Sequence, residues 1–221
     1  MANFITVFLL ILSALFPIVN PLSGSPIFLD LTKKSAADAR RALSWRVAWN
    51  SFLLMVGSYF IGSHILGFFG LSLPVVQVGG GLVVVSMGWA LLMKREEVRD
   101  TTDEPAEPHD LFGRAFYPLT MPLTVGPGSI SVAVTLGANT TNHYGMHVWA
   151  IMAALAAMAI IAVSVFLCYG FADRLARMLG ETGTTVIIRL SSFLLLCIGV
   201  QIMWNGISAL LATVPLHVTP R

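Results

Sequence analysis

The chain has 221 residues, 56% of them hydrophobic and only 11% charged, with a formal net charge of +2. Soluble domains carry about 25% charged residues, so the composition argues for a single membrane domain. It also argues against a basic nucleic-acid surface, since the 13 Lys and Arg residues are confined to short stretches. Cys168 and Cys197 both sit in apolar runs and read as small buried thiols, with no metal site or disulfide framework.

The first apolar segment runs from about Phe4 to Leu31 and has no basic residue before Lys33. It lacks the charged region of a cleavable signal peptide and is expected to remain as a helix. In its middle stands Asn20-Pro21-Leu22-Ser23-Gly24-Ser25-Pro26. Pro21 and Pro26 supply no N–H, Gly24 adds no helix propensity, and Ser23 and Ser25 can bond the backbone in place of helical partners. A helix break is predicted here at membrane depth. Unsatisfied backbone is costly in lipid, so such a break should face protein or a water-filled cavity.

A basic loop, Thr32 to Arg46, follows, carrying Lys33, Lys34, Arg40, Arg41 and Arg46. Segment two covers roughly Val47 to Phe69, and an uncharged turn, Gly70 to Pro74, leads to segment three, roughly Val75 to Met93. Gly79-Gly80-Gly81 in segment three should let another helix pack close. Lys94 to Arg114 is a polar linker rich in Pro and acid. Its Asp103, Glu104, Glu107, His109 and Asp110 show no metal-ligand spacing of known geometry, and a solvated linker is the reading.

Segment four, about Tyr117 to Leu136, contains the second interruption, Pro122-Leu123-Thr124-Val125-Gly126-Pro127-Gly128-Ser129-Ile130. An uncharged loop, Gly137 to Met146, is followed by segment five, about His147 to Phe171. Asp173, Arg174, Arg177 and Glu181 mark the next loop, and segment six runs from about Val186 to Ala212. The expected fold is thus all-α, with six transmembrane helices. It divides into a first three-helix repeat (1–93), a cytoplasmic linker (94–114) and a second three-helix repeat (115–221).

Twelve of the 13 Lys and Arg residues fall on one side of this layout, and only Arg221 falls on the other. The positive-inside rule then puts the basic loops in the cytoplasm and both termini outside. Three segments per half make an inverted-topology repeat, in which helices 1 and 4, both opening their breaks with Pro-Leu-(Ser/Thr), meet near the midplane with opposite polarity. Gln77-Val78-Gly79-Gly80-Gly81-Leu82 can be laid on Arg189-Leu190-Ser191-Ser192-Phe193-Leu194, a polar residue followed by small ones in each.

An interrupted helix offers N–H groups to an anion and carbonyls to a cation or ammonium. Two inverted breaks could therefore hold both charges of a zwitterion without a charged side chain. The candidate substrate-binding residues are Asn20, Pro21, Ser23, Gly24, Ser25, Thr124, Gly126, Pro127, Gly128 and Ser129, with Ser131 nearby. Pro and Gly kinks in membrane helices are also often structural, and Asn20 could simply cap a helix. Asn50, Gln77, Gln201 and Asn205 read as hydrogen bonds between helices. His64 and His147 read as interface residues, and Asp30 as a residue near the cytoplasmic surface. No deeply placed Asp or Glu pair supports a carboxylate proton relay.

Transport is one class; catalysis is another. Ser23-Gly24-Ser25 and Gly128-Ser129 could be drawn around a nucleophile, but no His or Lys sits at comparable depth as a base, so an enzyme is not expected. A channel stays open, since selectivity filters also use irregular backbone.

The two interruptions, Asn20 to Pro26 and Pro122 to Ile130, resemble the paired signature motifs of the MarC family of bacterial inner-membrane proteins, also called the neutral amino-acid transporter family. The resemblance covers essentially the whole chain. It implies a multi-pass protein of the bacterial inner (plasma) membrane that moves small neutral amino acids such as glycine and alanine, with no implication of drug efflux. The family often carries an Arg early in both third helices; Arg189 fits and Gln77 departs. The expected partners are the lipid bilayer and a small neutral solute, a homo-oligomer being compatible. No cofactor is expected, and coupling to Na+ or H+ is left open.

Overall fold

The computed structural model describes residues 4–32, 35–93, 115–144 and 147–212. Lys33, Lys34, the linker acids with His109, and Arg221 lie outside them. The described residues form seven α-helices and one π-helical segment, with no strand. They are α1 Phe4–Val19, α2 Pro21–Leu31, α3 Ala37–Phe68, α4 Leu73–Met93, the π segment Phe116–Thr124, α5 Pro127–Tyr144, α6 Val148–Gly170 and α7 Ala172–Ala212. Five spans are long and apolar enough to cross a membrane, or six when the π segment and α5, bent by 63°, count as one. Lipid offers the backbone no partner, so runs of this length close their hydrogen bonds internally as helices.

The helices reach beyond the expected apolar limits. Arg40, Arg41 and Arg46, expected in a loop, lie on α3, which begins at Ala37. Its 32 residues span about 48 Å, longer than the hydrocarbon core, so its basic first turns extend past the lipid. Alanine and arginine favour the helix there, and Asp38 sits in its first turn against the dipole. Asn139 to Tyr144, expected in a loop, complete α5. Asp173, Arg174 and Arg177 likewise lie on α7, whose first turns are set off from its span by Gly180 at φ 64. The turn after α3 falls where expected: Gly70 (φ 67) closes the helix while its N–H donates to Gly67 O and that of Leu71 donates to Leu66 O.

Large apolar side chains cover the outside, among them Ile5, Leu9, Leu53, Phe193 and Leu194. The interior mixes large side chains, Phe28, Met55, Met158 and Tyr169 among them, with a run of alanines. On α1, Val7, Ile11, Leu15 and Val19 form one buried ridge, and on α6, which packs on both α1 and α3, Ala150, Ala153, Ala154 and Ala157 are buried. Helix α4 packs along α7 with backbones in contact. A Cβ on Gly81 would lie 2.6 Å from the Met203 amide nitrogen, and one on Gly199 2.6 Å from that of Val85. Of the expected glycine run, Gly81 meets α7 and Gly80 meets Ser131 of α5, while Gly79 meets nothing. Helix α3 packs on α5 and α6, α2 on α6 and α7, and α5 also on α4.

Candidate functional site

The first interruption is one residue wide. Asn20 takes a left-handed conformation (φ 46, ψ 62), which asparagine tolerates better than other residues with a Cβ. Its Oδ1 accepts from the Ser23 N–H at 3.4 Å, while its own N–H donates to Phe16 O at 2.9 Å. Pro21 then occupies the first position of α2, where a missing N–H costs nothing. The expected break across Pro21 to Pro26 is thus confined to Asn20, and Ser23, Gly24 and Ser25 are helical and buried. Ser25 Oγ donates to Cys168 O of α6 at 2.8 Å. The buried Ser23 hydroxyl has no hydrogen-bond partner among the described residues.

The second interruption is wider. Tyr117 and Met121 precede prolines, which push a residue into extended conformation; their φ angles are −124 and −116. Pro118 and Pro122 contribute no N–H. Thr120 Oγ1 instead donates to Ala115 O, and Thr124 Oγ1 to Leu119 O, each at 2.7 Å, and Val125 N–H donates to Thr120 O at 2.8 Å. Threonine hydroxyls thus add hydrogen bonds to backbone carbonyls in a segment where the prolines supply no N–H. Gly128 lets α4 approach, since a Cβ there would overlap Val84, while one on Gly126 would crowd Pro122 O at 3.2 Å.

Tyr169 of α6 stands between the two motifs. It is fully buried, and its ring stacks on Phe28 of α2 with centroids 4.6 Å apart. Its hydroxyl lies 3.0 Å from Thr124 Oγ1. Thr124 spends its own proton on Leu119 O, so Tyr169 is the donor in this bond. On the other side the hydroxyl abuts Gly24, where a Cβ would overlap it. One phenol thus joins the glycine of the first motif to the threonine of the second.

A cavity of about 20 Å³ adjoins this junction, lined by Ile18, Met87, Thr124, Gly126, Gly128 and Ser129 among others. It has room for about one water and none for an amino acid. Of the candidate residues, Thr124, Gly126, Gly128 and Ser129 line it. Asn20, Pro21, Ser23, Gly24 and Ser25 do not; Gly24 reaches Thr124 through Tyr169. Pro127 is exposed. Tyr169 and Thr120 were missed by sequence reasoning. For Thr120 a signal exists: Pro-Leu-Thr occurs twice, at 118–120 and 122–124.

Beyond the junction, Arg40 of α3 pairs with Asp173 of α7 and donates to Ser35 O at 3.1 Å. Arg41 and Arg174 both lie over the Phe171 ring. Gln201 and Asn205, expected to bond between helices, bond each other within α7.

The profile of the MarC family integral membrane protein matches residues 5–211. The inner membrane protein MarC of Salmonella typhimurium (strain LT2) is 31% identical over 210 residues, covering 91% of this chain and 94% of that protein. Those of Citrobacter koseri and Escherichia coli O1:K1 are each 29% identical, with the same coverage. No solved structure matches. With its matched residues and its five or six apolar spans, this chain is a multi-pass inner-membrane protein and belongs to the MarC family.

Proposed function

We propose that the chain is a transporter or exporter of a small neutral solute, in first place a small neutral amino acid, working by alternating access between its two interrupted helices. The observation that carries the reading is the Tyr169 junction, which brings Gly24 and Thr124 onto one hydroxyl. Helix pairing gives further support for an inverted 3+3 repeat. Exchanging α1 and α2 with the π segment and α5, α3 with α6, and α4 with α7 carries the main packing pairs onto one another. The bias of Lys and Arg supports cytoplasmic basic loops and external termini.

On this reading the junction is a closed state, and the water-sized cavity widens when α2 and α6 part from the π segment. Substrate then meets Thr124, Ser129 and the glycine backbone of Gly126 and Gly128, with Asn20, Ser23 and Ser25 approaching from the first motif. Transport fits better than catalysis, because the Ser25 hydroxyl donates to a backbone carbonyl and that of Ser23 has no hydrogen-bond partner, base included, among the described residues. The test is counterflow of labelled alanine and glycine in liposomes holding the purified protein. Saturable exchange that Thr124→Ala reduces in a folded protein supports the reading. Flux that never saturates points to a channel, and absence of exchange for every neutral amino acid sinks the substrate class.

A further inference from the structure

Helix α7 presents two amides where lipid is expected. Gln201 and Asn205 both lie on its exposed face, inside the apolar span Thr182–Ala212. Their depth follows from the packing on α4. A Cβ on Gly81 would lie 2.6 Å from Met203 N and 2.8 Å from Gly199 O, so Gln201 is level with Gly81. Gly81 stands about 12 Å along α4 from Leu73 at 1.5 Å per residue. Helix α4, with 21 residues, is about as long as the hydrocarbon core is thick. Gln201 is therefore near the middle of the membrane, with Asn205 one turn closer to the surface.

Gln201 Nε2 donates to Asn205 Oδ1 at 2.8 Å. Among the described residues this leaves Gln201 Oε1 as an acceptor and Asn205 Nδ2 as a donor, both without a partner. Hydrocarbon can satisfy neither. The pair is self-complementary, because a two-fold axis along the membrane normal sets each Asn205 NH2 against the Gln201 carbonyl of a second copy. The same helical ridge holds Phe193 and Cys197, both exposed, which supply apolar contact one and two turns away. Arg189 continues the ridge about 18 Å from Gln201, where crossing helices have separated.

We propose that this chain forms a parallel homodimer through the exposed face of α7, joined by reciprocal amide bonds between Gln201 and Asn205 of the two copies. The test uses the full chain carrying Cys168→Ala, reconstituted in vesicles over a range of protein-to-lipid ratios. Two-step photobleaching and an oxidant-induced dimer through Cys197 are expected. Gln201→Leu with Asn205→Leu should weaken association about tenfold. Gln201→Asn with Asn205→Gln, which keeps the amides, should restore it. A chain that stays monomeric at every ratio overturns the proposal. So does a dimer untouched by the double leucine change, or one that never cross-links through Cys197.

Discussion

Gly24→Ala tests the junction between the motifs. The added Cβ overlaps the Tyr169 hydroxyl and lies 3.2 Å from both Cε1 and Cζ of the ring. Tyr169 is fully buried and stacked on Phe28, so it has little freedom to withdraw. Overpacking of this kind costs about 1–3 kcal/mol, while alanine regains about 1 kcal/mol of helix propensity over glycine. The net loss expected is about 0–2 kcal/mol. Tyr169→Phe removes the overlapped atom and its bond to Thr124, a loss of about 1 kcal/mol by itself. In that background Gly24→Ala meets only ring carbons at 3.2 Å, which a shift of tenths of an ångström relieves, so the propensity gain of about 1 kcal/mol should show as stabilisation. The cycle of four proteins, compared by chemical unfolding in detergent micelles, should therefore give a coupling of about 1–3 kcal/mol. Simple additivity of the two changes would refute the contact.

Asn20 makes a second test, because glycine adopts φ 46 without strain and alanine does not. Asn20→Ala should lose about 1–3 kcal/mol from strain and the lost cap. Asn20→Gly should lose only a few tenths, so the glycine variant should unfold at the higher denaturant concentration. The Arg40–Asp173 pair should matter less. Asp173 is half-exposed, so Asp173→Asn should cost at most about 1 kcal/mol, and the difference from wild type should shrink in high salt. A large, salt-independent loss of stability would contradict that.

The segments were legible because runs of apolar residues longer than a bilayer is thick admit few alternatives. Their ends were not, since helices continue past the lipid wherever helix-forming residues allow, as at Ala37 to Arg46 and Ala172 to Leu179. Nor were the inner faces, because lipid and core both select apolar side chains. The same residue types stand on both sides: Phe28 and Leu15 are buried while Phe193 and Leu194 are exposed. At the site, proline and glycine disclosed the motifs through the backbone donors and bulk they lack. Tyr169 gave no such sign, being one aromatic in an apolar run. Its neighbour Cys168 meets Ser25 across 143 residues, a distance over which sequence alone carries no contact.

A solute site formed by the two motifs must open to admit its substrate, and Ser129, which lines the cavity and is only 2% exposed, reports that opening. Ser129→Cys, in a chain with Cys168→Ala and Cys197→Ala, would be labelled with a water-soluble maleimide in liposomes with and without alanine or glycine. Slow labelling is expected, as the buried position opens intermittently, with protection by a saturating concentration of the transported amino acid. Labelling that no neutral amino acid slows, in a protein that still exchanges alanine, would place the site elsewhere.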